Sequence, residues 1–147
     1  MDIRQTTFDE ALAQADVNTL LTEYAREASS FGNPEPNIDA YKQLEDAGIA
    51  ILLCAYVNGE IVGFCILTVF HQLQYDRIDA FTEALFVRNK YRNTGAGASL
   101  LRRSGRIAKE IGARSYVVTA PTGGVLHKAM ERSKLFKESG RIFMRRL

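Results

Sequence analysis

Apolar positions along this chain change period several times, and each change marks an element. Residues 3–6 alternate briefly, as a first strand would. Thr7-x-x-Glu10 then makes a capping box, after which Val17, Leu20, Leu21, Tyr24 and Ala28 recur at helical spacing. The spacing predicts a helix over residues 8–29, with a break near Asp16. Residues 31–37 hold two prolines and a glycine and form a loop. Asn37 caps a second, short helix with Ile38, Tyr41 and Leu44 on one face, ended by Gly48.

Residues 49–57 and 61–70 are apolar runs around Asn58-Gly59, a strong hairpin signal. With that two-residue turn, Cys54 faces Gly63 and Cys65 faces Leu52. The cysteines are then diagonal neighbours on one face, small core residues rather than a redox pair. Residues 71–79 form a polar connection. Residues 81–87 are rich in aromatic and β-branched residues and read as a strand, with Glu83 its only charge. Residues 88–97 carry Arg88, Lys90 and Arg92 with Gly95 and Gly97, a basic turn. From Ala98 the apolar positions Leu100, Leu101, Ile107, Ala108 and Ile111 fall at helical spacing, and Gly112 ends the helix. A short strand at 115–120, a break at Pro121-Thr122-Gly123-Gly124, a last helix with Val125, Leu126, Ala129 and Met130 inward, and a hairpin-like pair at Phe136 and 141–147 complete the chain. The order is β-α-α-β-β-β-α-β-α-β-β, expected as one domain over 1–147.

Composition narrows the class. The chain has 147 residues, long enough for one proper core, with 46% hydrophobic and 24% charged residues. The longest near-continuous apolar run, 47–57, is too short to span a bilayer, so no membrane partner is expected. The opening MDIRQTTFDE has no apolar secretory segment. Two cysteines without metal-type spacing point to a reduced, cytoplasmic setting and no metal. Charge is divided: residues 1–84 hold 4 Lys/Arg against 14 Asp/Glu, or −10, and residues 85–147 hold 15 against 3, or +12. A basic half can focus a polyanion, unless the two signs simply face each other or water.

A helix that opens after a glycine turn leaves several N–H groups aimed at one spot, and with the helix dipole and Arg92 nearby that spot favours phosphate. The plain alternative is a strand–turn–helix whose glycines serve only the turn. The full pattern Arg92-x-x-Gly95-x-Gly97-Ala98, behind Glu83-Ala84-Leu85-Phe86-Val87 and Tyr91-Arg92, resembles the acetyl-coenzyme A signature of the GNAT superfamily of N-acetyltransferases. A Walker A run is absent, and a Rossmann fingerprint would need glycine where Leu100 stands. More weakly, the ending is similar to short phage-type members. The resemblance implies an α+β fold with a mixed, mostly antiparallel central sheet flanked by about four helices. It also implies acetyl-CoA as acyl donor, moved directly to a primary amine on a small molecule or a protein. Leu85, Phe86 and Val87 would pair with the pantetheine arm and hold the acetyl oxygen. Asn93, Thr94, Gly95, Ala96, Gly97 and Ala98 would cradle the pyrophosphate beside Arg92.

Amine acylation needs a base, because an alkylamine with a free pKa near ~10.4 arrives protonated. Glu83 is the candidate, directly or through water, and by resemblance it takes the general-base position. The alternative is a strand glutamate facing solvent or an arginine. The sequence departs from the family where many members carry a tyrosine on the last helix to protonate the thiolate. Here Ala129-Met130-Glu131-Arg132-Ser133 has none, and Ser133 or water would substitute. The acceptor would enter between the 31–37 loop and the 71–79 connection, where Glu35, Asp76 and Asp79 suit a cation. The rival functions are a non-catalytic acyl-CoA- or partner-binding protein and, last, a nucleic-acid module, which lacks interleaved aromatics. A homodimer stays open.

Overall fold

The Thr7 hydroxyl accepts the Glu10 N–H at 3.1 Å, and the Glu10 carboxylate accepts the Thr7 N–H at 2.9 Å. This capping box starts helix α1 (Phe8–Leu12) where the sequence places it. The structure is a computed structural model that describes residues 1–28, 32 and 34–147. Strand β1 (Asp2–Gln5) comes first, and after α1 the chain breaks, as expected, to begin α2 (Val17–Glu27) behind Asp16. Ser29 of the expected helix and Phe31 and Asn33 of the expected loop lie outside the described residues. Helix α3 (Ile38–Asp46) is capped by Asn37, whose side-chain oxygen accepts the Ala40 N–H at 3.0 Å.

Strands β2 (Ala50–Val57), β3 (Glu60–Gln72) and β4 (Arg77–Val87) follow, then helix α4 (Ala96–Glu110), β5 (Ser115–Val118) and helix α5 (Val125–Arg132). The sheet order is β1-β2-β3-β4-β5, and the first three pairings are antiparallel. The α4 crossover makes β5 parallel to β4: the Arg114 N–H bonds Ile78 O at 2.8 Å, and further along Tyr116 meets Thr82. Residues Met1–Val117 form one compact unit and Val118–Leu147 a second. The fold is the expected α+β sheet, with five α-helices among the described residues.

Both sheet faces are covered. Phe8, Ala11 and Leu20 from α1 and α2 pack on Leu52, Cys54, Ile61, Phe64, Ile66 and Phe86, with Tyr24 and Tyr41 at the margin. On the other face Leu100, Ile107 and Ala108 of α4 pack on Leu53, Ala55, Val62, Cys65, Leu67 and Ala80. Strands buried on both sides explain the continuous apolar runs of β2 and β3.

Two extra residues set which side chain faces which way. In β3, Tyr56 pairs with Ile61 and Ala55 with Gly63, so Val62 is an insertion. Cys54 therefore pairs with Phe64, not Gly63, and Cys65 with Leu53, not Leu52. The cysteines lie on opposite faces, because a one-residue shift exchanges the faces of a strand. In β4, Ile66 pairs with Ala84 and Leu67 with Thr82, which leaves Glu83 as the inserted residue.

The expected polar connection 71–79 is mostly strand, since His71 pairs with Ile78 and Gln72 with Arg77 across a turn at 73–76. The two strands expected at Phe136 and 141–147 are absent, and residues 133–147 form no regular element. An unsupported two-stranded ribbon is marginal in water, and Arg141, Arg145 and Arg146 interrupt the apolar alternation there.

Gly63 sits where β4 passes closest: a Cβ there would stand 2.7 Å from Phe86 O and 3.1 Å from Val87 Cγ2. Gly63→Ala is expected to cost about 1–3 kcal/mol through overpacking against backbone, read as a lower denaturant midpoint at unchanged slope. Burial pushes the Cys54 thiol up to about 12 and raises Cys65 as well. Neither thiol should react with a disulfide reagent at pH 8 in the folded protein, and both should react once it is unfolded.

Candidate functional site

β4 leads into a short 3-10 turn (Asn89–Tyr91) and then into α4, and this junction is built from the bottom up by its dihedral angles. Asn93 and Gly95 take positive φ, 67° and 87°, and Gly95 is the residue before the first helical turn. No side chain caps that end, so the first N–H groups of α4 have no side-chain acceptor. Thr94 does not supply one, since its hydroxyl donates back to Tyr91 O at 2.6 Å. Ala96 is buried and anchors the turn, while Asn93, Thr94, Gly95 and Ala98 are exposed and Gly97 is half-buried. The nearest atom to a Cβ on Gly97 would be Val87 Cγ2 at 3.8 Å, so the glycine leaves open space rather than relieving a clash. A glycine-opened helix end without a side-chain cap is of the kind that can take an anion.

Arg92 lies beside this turn but is already engaged. Its Nε donates to Val87 O at 2.9 Å, its Nη2 donates to Glu27 of α2, and its guanidinium carbon stands 5.6 Å from the Phe86 ring centre. Arg88 is paired likewise with Glu23, with Nη2 to Oε1 at 2.9 Å. Sequence reasoning missed Glu23 and Glu27. The available signal was their four-residue spacing, which matches that of Arg88 and Arg92.

Glu83 is exposed, although the other residues of its strand, Ile78 apart, are buried or half-buried. The insertion explains this: the extra residue is left out of the ladder and its side chain is re-aimed. Tyr24 and Tyr41 stand close enough to feel its charge. Both phenols are raised above their ordinary value, by burial first and by Glu83 second. Tyr24 meets Phe64 and Phe86 edge-on, with ring centres 5.3 and 5.6 Å apart, and Tyr41 stacks on Phe8 at 5.2 Å. Glu83 therefore sits at the edge of an aromatic floor formed by α2, α3 and the sheet. Leu85 and Val87 turn toward α4, and Phe86 turns toward α2. β5 has four residues and starts beside Ile78, so it is too short to follow β4 as far as Val87.

Beneath the sheet, Ser104 donates to Cys65 Sγ at 3.2 Å, and Tyr116 OH meets Thr82 Oγ1 at 2.8 Å. Burial pushes the Tyr116 phenol up to about 12.

The other expected site residues have the following settings. Ser133 ends α5 in the second unit, where its hydroxyl accepts the Leu135 N–H at 3.1 Å. Glu35 is exposed, but Asp76 pairs with His71 at 2.8 Å. Asp79 is 2% exposed and accepts from Arg77 Nε and Nη2 at 3.3 and 3.2 Å. The open groove here, about 830 Å³, is lined by Tyr75, Arg77 and Arg114 among others, and the acid in its lining, Asp76, is already committed to His71. Among the described residues no cluster of three or more His, Cys, Asp or Glu could hold a metal ion, and no helix is long and apolar enough to cross a membrane.

The sequence matches the model of the acetyltransferase (GNAT) family over residues 16–132. No curated protein matches it. Among solved structures it is similar to an aminoglycoside acetyltransferase, meta-AAC0020, from an uncultured soil metagenomic sample, crystallised with sisomicin. The TM-score is 0.77 at 17% identity, covering 99% of this chain and 95% of that one. It is similar to a ribosomal-protein-alanine N-acetyltransferase from Brucella melitensis biovar Abortus 2308, with TM-score 0.73 and 19% identity over the full length of both. A putative acetyltransferase from Agrobacterium tumefaciens str. C58 matches at TM-score 0.76 and 17% identity, again over both full lengths.

Gly95 is where the turn depends on glycine itself, because φ of 87° disfavours any side chain. Gly95→Ala should lower stability by about 1–2 kcal/mol, although a Cβ there meets nothing within 4 Å. Thermal unfolding against wild type measures the loss.

Proposed function

We propose that this chain, which belongs to the acetyltransferase (GNAT) family, moves an acetyl group from acetyl-CoA directly to a primary amine. The observation that carries the reading is the exposed Glu83, inserted into a strand that leads through the 89–91 turn to the uncapped start of α4. Bound there, acetyl-CoA supplies an activated thioester, and the protein's own residues do the rest.

The chain's contributions are specific. Backbone N–H groups from Gly95 to Ala98, with Arg92 and Asn93 at the side and Thr94 shaping the turn, would hold the diphosphate. The backbone of Leu85, Phe86 and Val87, on the part of β4 beyond the reach of β5, would take the pantetheine arm as a strand takes a neighbour. An N–H of that segment would hold the acetyl oxygen as it gains charge. Glu83 would accept the amine's proton, directly or through water. Tyr24 and Tyr41 border the same carboxylate and would keep the amine beside it. A thiolate with a pKa near ~8.5 is a tolerable leaving group near neutral pH, so water suffices where a phenol is lacking. The whole chain is read as one catalytic domain. The acceptor is an amine on a small molecule or a protein.

A second reading, a protein that binds acyl-CoA without turnover, is favoured by the absence of tyrosine from α5, VLHKAMER. One experiment separates the two. Acetyl-CoA should raise the melting temperature, and an amine screen should show acetylated product by mass spectrometry. Glu83→Gln should then cut turnover by about 10²–10⁴-fold, with acetyl-CoA affinity within about twofold of wild type. Full activity in Glu83→Gln would remove the base assignment, and binding without any product would leave the second reading.

A further inference from the structure

Glu23 and Glu27 stand one helical turn apart on α2, and Arg88 and Arg92 stand four residues apart on either side of the 3-10 turn. The four form a ladder with two rungs. The rungs differ in what surrounds them.

The Glu23 rung is fixed. Arg88 is 9% exposed, and its Nε and Nη2 both reach Glu23 Oε1, at 3.0 and 2.9 Å. Its backbone N–H is held by Val62 O at 2.9 Å, and the hydrogen bond to Glu23 is the main cause of a raised guanidinium pKa. Removing one partner of such a pair strands a buried charge. The Glu27 rung is different: the Arg92 and Glu27 side chains are 30% and 47% exposed. Glu27 is the last residue of α2, and a solvated pair of this kind contributes little net stability.

We propose that Glu27 is a positioning residue that holds Arg92 in place until a diphosphate arrives and then yields it, while Glu23 keeps α2 fixed to the turn. The inference rests on the reading that this turn receives the diphosphate of coenzyme A. Arg92 Nε remains on Val87 O, so the guanidinium stays anchored and only its Nη2 changes partner. A phosphate offers several charged acceptor oxygens in a geometry that suits the guanidinium fork, against one half-exposed carboxylate. An open groove of about 580 Å³ lined by Glu23, Arg26, Glu27, Asn89 and Lys90 adjoins the pair and gives the displaced carboxylate room to move. The last turn of α2 thus senses whether the phosphate site is filled.

The test is calorimetric titration of the full chain with coenzyme A at low and at moderate salt. Removing the competing charge in Glu27→Gln should tighten binding about three- to tenfold at low salt and less at moderate salt, with the ligand-free melting temperature within about 2 °C of wild type. Glu23→Gln should lower that melting temperature by several degrees and should not tighten binding. Hydrogen exchange adds a structural readout: coenzyme A should speed exchange at the end of α2 in wild type, whereas Glu27→Gln should be fast there without ligand. Unchanged or weaker binding in Glu27→Gln, with wild type binding normally, overturns this proposal alone. No binding by wild type overturns it together with the reading of the turn.

Discussion

β4 must bury side chains on both faces of the sheet and still present a carboxylate to solvent, and one inserted residue reconciles the two. Before Glu83, Ala80 and Thr82 face α4. After it, Ala84 and Phe86 face α2 and α3, although all four share the same parity in sequence. A regular strand would have kept them on one side. The insertion reverses the alternation, keeps both cores filled and leaves Glu83 outside the ladder. The aromatic floor, the direction of Leu85 and Val87, and the approach to the turn before α4 all follow from that reversal.

The same strand needs close support. Gly63 lets β3 approach the carbonyl of Phe86, and the insertion at Val62 puts Cys65 under the sheet, within reach of Ser104. Thr82 and Tyr116 join β4 to β5 on the same face. Hydroxyls and a thiol that would be costly to bury singly satisfy one another there. The part of β4 that carries Glu83 therefore rests on a packed, hydrogen-bonded layer, while Glu83 itself stays exposed.

Charge organises the other end of the strand. The acidic first part of the chain and the basic second part meet at Glu23–Arg88 and Glu27–Arg92, beside the uncapped helix end. Other acids are used locally, such as Asp9 with Lys42 and Asp79 with Arg77. The lopsided totals thus become a specific ladder between α2 and the turn before α4. The basic residues on α4 remain as a broader positive field.

Sequence by itself determined the local elements and the glycine geometry of the turn. The capping box at Thr7, the Asn37 cap, the Asn58-Gly59 hairpin and the Gly112 terminator are set by neighbours a few residues apart, and each forms where its pattern predicts. The arginine–glycine turn and the lone Glu83 were legible for the same reason. Register was not, because Val62 and Glu83 look like ordinary strand residues until a partner strand is beside them. The extension of the β3–β4 hairpin to Gln72 and Arg77, and the missing strands after Ser133, depend in the same way on whether a partner lies alongside. The partners of Arg88 and Arg92 come from 65 residues away, and no local spacing sets that distance. Only the packing of α2 on the sheet brings them together, since side chains remote in sequence meet only where burial of the intervening chain holds them.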